Sequence, residues 1–258
     1  MRTALVTGSS RGIGRATAVA LARDGTRVVL TARGREDLAE AAEEVAEAGG
    51  EPVVEPCDFG DAGSIASLFD RLEREGVEID VLVNNVGVAR IAPFEEVDDV
   101  EWDRNWRINV MSAVRCSRRV APGMAGRGWG RIVNVSSSAG VRPSPRWPAY
   151  APTKAATQAL AMVLAATYGE RGVTVNAVCP GPVATPMWTD EEGLWRVVAR
   201  KGEEREEVLA RVGEGLPAGR MGEPGEVGAV IAFLCSEEAS FVNGAVLSVD
   251  GGNVRIVA

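Results

Sequence analysis

Short apolar runs alternate with longer helical patterns along the whole chain, and this rhythm constrains the fold more than any other feature. The runs are nearly continuous in Val, Ile and Leu, which is typical of strands covered on both faces of a sheet. Seven of them occur: TALVT (3–7), RVVLTA (27–32), PVVEP (52–56), DVLVN (80–84), RIVNVS (131–136), VTVNAVC (173–179) and AVLSVD (245–250). Because strand, helix and strand in repetition require right-handed crossovers, the sequence predicts an α/β fold built on a doubly wound parallel sheet of about seven strands.

The organisation of the chain indicates one domain over residues 1–258, since no linker rich in Pro or Ser and no repeat divides it. Residues 182–220, Pro182 to Arg220, interrupt the rhythm before the last helix and strand, and they are crowded with charges. This segment is predicted to be an insertion that contains helices. Ligands in such sheets bind outside the carboxyl ends of the strands, so we expect the insertion to act as a substrate lid.

Composition excludes several classes of function. The formal net charge of −8 argues against a nucleic-acid partner, because such proteins usually carry a clustered basic surface. The four cysteines lie far apart and the chain has no histidine, so no metal site is expected. The sequence begins MRTALVTG without a basic and apolar leader, and no apolar run reaches membrane-spanning length. We therefore expect a cytoplasmic protein with reduced thiols and no membrane partner.

A glycine-rich loop follows the first strand. TGSSRGIG places Gly8, Gly12 and Gly14 where the chain must turn tightly, approach a ligand closely and pack a helix on a strand. The start of that helix offers unpaired N–H groups and the positive end of its dipole to a pyrophosphate. A plain turn between strand and helix is the alternative. The position at the first junction favours a Rossmann-type dinucleotide site.

The end of the second strand indicates which dinucleotide binds. An Asp or Glu that bonds the adenosine ribose is expected about 20 residues after the loop. The sequence LTARGR instead supplies Arg33 and Arg35, and Arg11 stands inside the glycine loop. Guanidinium groups bind a 2′-phosphate that a carboxylate would repel. The sequence thus predicts a preference for NADP(H), with surface arginines beside an NAD(H) site as the alternative.

The stretch VNVSSSAG (133–140) contains three serines, but no histidine exists to activate a serine nucleophile. YAPTK follows, and on a helix its Tyr150 and Lys154 share one face. A neighbouring cation stabilises a phenolate, so Lys154 is expected to lower the pKa of Tyr150 from about 10. The pair can then act as acid and base in place of histidine. A YxxxK pattern alone is common by chance.

Taken together, these motifs resemble the short-chain dehydrogenase/reductase family, in its group of single-domain oxidoreductases of about 250 residues that includes 3-oxoacyl reductases and ketoreductases. The resemblance covers essentially the whole chain: TGSSRGIG, CDFGD, NNVG, RINV, SSSAG, YAPTK and PGPVATPM occur in the family's order. Two positions depart from the pattern. Val86 replaces the usual alanine of NNAG, which puts the fit of the cofactor there in doubt. Pro152 lies inside YAPTK, where a missing N–H near a helix start costs little.

The resemblance implies a role for each matched residue. Tyr150 protonates a carbonyl oxygen as hydride arrives, Ser137 holds that oxygen, and Lys154 binds the nicotinamide ribose. Asn109 helps to hold a water relay to the lysine. On a strand Ser137 points away from Ser136 and Ser138, and the family spacing of thirteen residues to the tyrosine selects it. The implied cofactor contacts are Gly8, Ser10, Arg11, Gly12, Ile13, Gly14, Arg33, Asp58, Phe59, Asn85, Gly87, Tyr150, Lys154, Pro180, Gly181, Val183 and Thr185.

Apolar residues near the tyrosine suggest the kind of substrate. With Ser137 and Tyr150, the expected substrate contacts are Val141, Trp147, Met187, Trp188 and Trp195. Facing the nicotinamide, they make a wall that favours a bulky hydrophobic ketone, although aromatic residues on a lid also pack on a core. The resemblance further implies a homotetramer or homodimer, in which a neighbour covers the closing SVDGGNVRIVA (248–258).

The sequence therefore predicts an NADP(H)-dependent oxidoreductase that interconverts a ketone and a secondary alcohol, acting as a reductase on a hydrophobic carbonyl compound. An NAD-dependent secondary-alcohol dehydrogenase is the alternative among enzymes. A dinucleotide-sensing protein without catalysis is the alternative from another class, and it has no use for a phenol beside a lysine. A nucleotide-sugar epimerase needs a longer chain for its substrate domain.

Overall fold

The computed structural model describes residues 1–254, and its centre is one sheet of seven parallel strands in the order β3-β2-β1-β4-β5-β6-β7. The strands are β1 (Thr3–Thr7), β2 (Arg27–Thr31), β3 (Glu51–Val54), β4 (Val81–Asn84), β5 (Gly130–Val135), β6 (Val173–Pro180) and β7 (Val246–Val249). Each predicted strand is present, with bounds that shift by no more than two residues. The prediction of a doubly wound parallel sheet is confirmed.

The helices connect successive strands. They are α1 (Gly12–Ala22), α2 (Arg35–Glu47), α3 (Ala62–Arg74), α4 (Asp99–Asn105), α5 (Ser112–Gly126), α6 (Ser138–Val141), α7 (Tyr150–Tyr168), α8 (Pro186–Thr189), α9 (Leu194–Val198), α10 (Arg205–Glu214) and α11 (Pro224–Leu234). A π-helical turn, Trp106–Met111, joins α4 to α5. Among the helices of residues 1–254, none combines the length and the apolarity that crossing a membrane requires.

Two apolar cores, one on each face of the sheet, hold these layers together. On β1, Ala4 and Val6 face the core that includes α1, α2 and α11, whereas Leu5 faces the core that includes α3, α5 and α7. The alternation follows from the two-residue period of a strand. Because both faces are covered, the strands are apolar at nearly every position, as their sequences indicated.

The order of the strands places a crevice above β1 and β4. β1 pairs with β2 on one side and with β4 on the other, so the direction of winding reverses between them. A ligand crevice forms at such a point, outside the carboxyl ends of the strands. The predicted insertion, hereafter the lid segment (residues 182–220), carries α8, α9 and α10 at this edge. Of the closing residues 248–258, the last four lie outside the described part of the chain.

Candidate active site

One large cleft of about 1220 Å³ opens at the carboxyl ends of the strands. Most of the predicted site residues line it: Gly8, Ser10, Arg11, Gly12, Ile13, Arg33, Asp58, Phe59, Asn85, Gly87, Ser137, Trp147, Tyr150, Lys154, Pro180, Gly181, Val183, Thr185, Met187 and Trp188. Four others do not line it, namely Gly14, Asn109, Val141 and Trp195. The structure therefore brings the predicted cofactor, catalytic and substrate residues to one place, with these four exceptions.

The glycine loop has the backbone geometry that its sequence requires. Gly8 and Gly12 have φ of 66° and 57°, a region that residues with a side chain rarely adopt. Gly14 lies under the loop, where an added Cβ would stand 2.2 Å from the carbonyl oxygen of Gly8. Asn85 fixes the loop from the neighbouring strand, since its Nδ2 donates to the carbonyls of Thr7 at 2.9 Å and Gly8 at 3.1 Å. Gly14 thus serves the packing of α1 on β1.

The residues present fit a dinucleotide. α1 begins at Gly12 on the cleft, and Arg11 before it makes no side-chain capping bond, so the first N–H groups of the helix are left for a ligand. At the end predicted to hold the adenosine, Asp58 lines the cleft and its Oδ1 accepts a hydrogen bond from the Gly60 amide at 2.8 Å. Gly87 lies between Lys154 and Asn109 at the other end, where a Cβ would lie 3.2 Å from Lys154 Nζ.

The charged groups at the adenosine end differ from the sequence expectation. Arg33 lines the cleft and forms no ion pair within residues 1–254, whereas Arg35 does not line it. Arg11 forms an ion pair with Asp190 of the lid segment, with 2.8 Å between Nη1 and Oδ2. Asp37, which the sequence analysis did not select, also lines the cleft. Its place in the first turn of the helix that follows β2 was the signal that could have found it.

The three serines after β5 are not arranged as strand residues, which corrects the expected alternation. β5 ends at Val135, and Ser137 is the N-cap of α6, its Oγ accepting a hydrogen bond from the Ala139 amide at 3.1 Å. A serine side chain at such a position satisfies a free helix N–H, which favours ending the strand there. Ser136 Oγ donates to the carbonyl of Lys154 at 2.8 Å.

Tyr150 and Lys154 lie one turn apart at the start of α7, and both are buried. Lys154 Nζ donates to the carbonyl of Val135 at 2.8 Å and lies 5.6 Å from the centroid of the Tyr150 ring. The ring of Trp147 packs beside the tyrosine, with centroids 5.4 Å apart. Pro152 lies in the first turn of α7, where it removes no helical hydrogen bond.

The pKa of Tyr150 is the second feature that differs from the expectation. Lys154 was expected to lower the pKa of Tyr150, but burial raises it to about 12, because the apolar surroundings penalise the phenolate. Hydrogen bonding with the Ser137 side chain acts in the opposite direction and is the smaller effect. Burial likewise lowers the pKa of Lys154 to about 8. The phenol is therefore a proton donor at neutral pH, beside a lysine that is still largely cationic.

Asn109 stabilises the site through hydrogen bonds without lining the cleft. It lies in the π-helical turn, a feature that often marks functional sites. Its Oδ1 accepts from the Val88 amide at 2.8 Å, and its Nδ2 donates to the Val88 carbonyl at 3.0 Å and to Thr153 Oγ1 at 3.0 Å. An added Cβ on Gly87 would lie 3.4 Å from its Oδ1. Asn109 thus approaches Lys154 across Gly87 without reaching the cleft itself.

Trp195 and Val141 have other surroundings. Trp195 Nε1 donates to the carbonyl of Asp190 at 2.8 Å, and the Arg196 guanidinium lies 5.5 Å from its ring. Val141 is the last residue of α6. Cleft residues that the sequence analysis missed include Val88, Ala89, Ile91, Arg104, Arg107, Arg146, Val198 and Asn253. Asn253 gives no sequence signal, because a distant segment brings its Nδ2 to 3.3 Å from Ser138 Oγ.

The other titratable side chains suggest no competing chemistry. Within residues 1–254, no group of three or more His, Cys, Asp or Glu side chains is arranged to hold a metal ion. Cys57, Cys116, Cys179 and Cys235 are buried and unpaired. Cys57 lines the cleft and Cys179 does not, and burial raises the pKa of both thiols.

Known proteins share this sequence and architecture. A family model described as enoyl-(acyl carrier protein) reductase matches residues 8–253. A cis-4-hydroxycyclohexanecarboxylate dehydrogenase of Sinomonas cyclohexanicum is 39% identical over 260 residues, covering 99% of this chain and 97% of the relative. A short-chain type dehydrogenase/reductase of Picea abies is 36% identical over 265 residues, covering 98% and 92%.

Solved structures agree with the sequence relatives. The L-sorbose reductase of Gluconobacter frateurii, solved with NADPH and L-sorbose, superposes with a TM-score of 0.93 at 32% identity, covering 99% of this chain and 97% of that one. The match therefore spans the sheet, the glycine loop and the lid segment together. The chain belongs to the short-chain dehydrogenase/reductase family, as an NAD(P)-dependent oxidoreductase that acts on CH–OH groups and the corresponding ketones.

Proposed function

We propose that the protein is an NADPH-dependent carbonyl reductase in which Ser137, Tyr150 and Lys154 act directly on the reaction, with Asn109 in support. The observation that carries the proposal is the grouping of the first three at one end of the cleft. When bound, the nicotinamide supplies the hydride. The same residues serve the reverse oxidation of a secondary alcohol.

The side chains divide the proton chemistry between them. Tyr150 is protonated at neutral pH, with a pKa raised to about 12, and donates its proton to the carbonyl oxygen. Because Ser137 Oγ already accepts from the Ala139 amide, its own O–H remains for the same carbonyl oxygen. Lys154 stabilises the phenolate that remains after the transfer, since an opposite charge nearby favours the ionised form. Asn109 holds the loop of Gly87 and Val88 against the lysine.

The preference for NADP(H) rests on Arg33. Its guanidinium lines the adenosine end of the cleft and has no ion-pair partner within the described residues, so it is available for a 2′-phosphate. Arg11 is a second donor near that end, although it pairs with Asp190. One observation favours the alternative of an NAD-dependent dehydrogenase: the Asp37 carboxylate also lines the cleft, and a carboxylate there suits a ribose hydroxyl better than a phosphate.

We infer a hydrophobic carbonyl substrate. Trp147 packs against Tyr150, and Val88, Met187 and Trp188 line the same cleft, which gives the reaction end an apolar wall. We propose that the lid segment, which carries Met187 and Trp188, closes over that end. A panel of ketones tests this, and bulky apolar ketones are expected to outperform sugars and small polar ketones. The opposite ranking would contradict it.

A homotetramer or homodimer is the proposed assembly. β7 forms an edge of the sheet, and its Val246 and Leu247 are each 40% exposed. Phe241 before β7 is fully exposed, and α7 presents Met162 and Val163 to solvent. Apolar surfaces of this kind are usually covered in an assembly. Light scattering measures the mass of the assembly.

The unpaired cysteines are consistent with the cytoplasmic location that the sequence suggested.

The experiment that tests the function is Tyr150→Phe with NADPH and the ketone panel. We expect turnover to fall by about 10²–10⁴-fold, the usual contribution of a positioned acid or base. Tyr168→Phe is the matched control, because Tyr168 is the other tyrosine of the chain and ends the same helix. A folded Tyr150→Phe protein with near-normal turnover would refute the assignment.

A further inference from the structure

Gln158 lies one helical turn after Lys154 on α7, half-buried beneath the loop that carries Ser137. Its Nε2 donates to Ser136 Oγ at 3.0 Å, and it lies 3.5 Å from the carbonyl oxygen of Ser137. The same nitrogen approaches Cys179 Sγ, at the end of β6, at 3.4 Å. One side-chain amide therefore contacts the serine loop and the adjoining strand.

The surrounding atoms restrict the position of the Gln158 amide. An added Cβ on Gly140 would lie 2.6 Å from Gln158 Nε2, so the backbone of α6 presses directly on the amide. Ser136 and Cys179, which accept from it, are both buried. A glutamine held on these sides cannot move without moving the serine loop.

A second hydrogen bond links Ser136 to the backbone of α7. Ser136 Oγ accepts from Gln158 and donates to the carbonyl of Lys154. The residue before Ser137 is thus tied to α7 through two bonds, one from a side chain and one to a backbone carbonyl. Within its own loop Ser137 Oγ accepts from the Ala139 amide, and this bond does not set the distance of Ser137 from α7.

We propose that Gln158 is a positioning residue, whose amide holds the Ser137 loop against α7 so that the Ser137 hydroxyl stays in reach of Tyr150 and of the substrate carbonyl. The inference rests on the proposed reduction. Gln158 touches neither substrate nor cofactor, since it does not line the cleft. Its effect on the reaction passes through Ser137.

The expected effect of Gln158 on the reaction comes from geometry and not from a change in charge. The titratable groups that face the Ser137 loop are Lys154 and Tyr150 from α7 and Cys179 from β6. Gln158 is neutral, so its removal changes geometry and not net charge. Hydrogen bonding with Ser137 lowers the pKa of Tyr150, so a displaced Ser137 leaves that pKa higher.

The test compares Gln158→Met, which keeps the length and removes the donors, with the wild type, Ser137→Ala and the double variant. Gln158→Met is expected to lower kcat about tenfold with an unchanged KM for NADPH, because a small misplacement of a catalytic group costs rate and not cofactor binding. Since Gln158 acts through Ser137, the double variant should be no slower than Ser137→Ala. Alcohol oxidation needs the phenolate of Tyr150. In this direction, the rise of kcat with pH should occur at higher pH in Gln158→Met than in the wild type.

Thr167→Ala, on the exposed side of the same helix, is the control for general effects on α7. Fully additive losses in the double variant, or a lower melting temperature with unchanged kcat, would overturn the proposal. A crystal structure of Gln158→Met provides a readout independent of turnover: a displaced Ser137 supports positioning, and an unmoved one refutes it. A wild type that reduces no carbonyl compound would count against the proposed function alone, because the position of Ser137 still decides this inference.

Discussion

The floor and the lid of the same cleft are held by different kinds of contact. The catalytic floor, which we define as Ser136, Ser137, Tyr150, Lys154 and Gln158, is joined by short hydrogen bonds between mostly buried groups. These bonds are shielded from water, so breaking one leaves an unsatisfied buried group. The floor is therefore expected to keep one geometry.

The lid segment has buried residues of its own, such as Val183 and Val208, but several of its ion pairs lie at the surface. Its ion pair with the glycine loop joins Arg11 to Asp190, whose side chains are 61% and 48% exposed. Arg220, the last residue of the segment, pairs with Glu226, and both side chains are also exposed. Solvent screens such pairs, and they contribute little to stability.

This difference matches two physical demands. Proton transfer requires reacting groups placed to a fraction of an ångström, which buried and mutually bonded side chains provide. A segment that admits and releases ligands needs contacts that break at small cost. Changes in the floor should therefore have large effects, and changes in the lid contacts small ones.

The largest effect is expected for Lys154→Met, which removes the buried cation beside Tyr150. Turnover should fall by about 10²–10⁴-fold, because the phenolate loses its stabilising charge. The same variant tests the pKa of about 8. Between about pH 8 and 10 the unfolded wild type holds a proton on Lys154 that the folded protein has lost, so the free energy of unfolding of the wild type relative to Lys154→Met should rise with pH.

Urea unfolding of both proteins from pH 7 to pH 10 measures that difference, and its slope should reach at most about 1.4 kcal/mol per pH unit. The comparison removes the contribution of the buried thiols, which both proteins share. A difference that is flat or falls with pH would show that Lys154 is not a destabilised cation, and the contrast between a buried floor and an exposed lid would lose its electrostatic basis.

Gly14→Ala should have the next largest effect, through packing and not chemistry. The added methyl group would lie 2.2 Å from the Gly8 carbonyl oxygen and 2.5 Å from Asn85 Nδ2, so α1 must shift. We expect a loss of about 1–3 kcal/mol in the free energy of unfolding, together with a higher KM for NADPH. Gly225→Ala is the control, since Gly225 also lies in the first turn of a helix and has no atom within 4 Å of an added Cβ. Equal effects of the two substitutions would contradict the packing role.

These two predictions show which features are readable from sequence. The strands were predicted because their apolar runs record burial directly, and β1 matches its predicted bounds of Thr3 and Thr7. Three residues of the floor, Ser137, Tyr150 and Lys154, were selected because family motifs carry them in order. Gly14 of the glycine loop was selected both as a cofactor contact and for packing the helix on the strand. The approach of Asn85, which follows β4, adds a packing neighbour that the motif does not show.

What the sequence missed depends on contacts between distant segments. The raised pKa of Tyr150 follows from burial that α7 alone does not create. Ser137 leaves the strand pattern because its hydroxyl caps α6, and apolar composition does not show where β5 ends. Trp195 turns away from the cleft to bond Asp190. Gln158 lies in no motif, and only the fold brings it under the serine loop.

The choice of dinucleotide is predicted to depend on two exposed residues of the cleft, Arg33 and Asp37. Arg33→Ala should lower kcat/KM for NADPH about tenfold by removing a charge-assisted bond to the 2′-phosphate, and should leave NADH within about twofold. Asp37→Asn should act in the opposite sense and improve NADPH. Arg35→Ala is the control, because Arg35 does not line the cleft. Steady-state kinetics with both dinucleotides measure the ratio, and an Arg33→Ala protein with an unchanged ratio would refute the NADP(H) preference.

The smallest effect is expected for Asp190→Asn, which breaks the pair between the lid segment and Arg11. Because both side chains are about half exposed, kcat should change by less than about threefold. Arg11 is released towards the cleft, so the KM for NADPH should fall slightly at low salt, and this gain should disappear at high salt. Glu192→Gln is the control, since it removes the exposed pair with Arg196 in the same segment without touching the glycine loop. A loss of tenfold or more in Asp190→Asn would mean that the lid contact is as demanding as the floor, and the distinction between the two regions would fail.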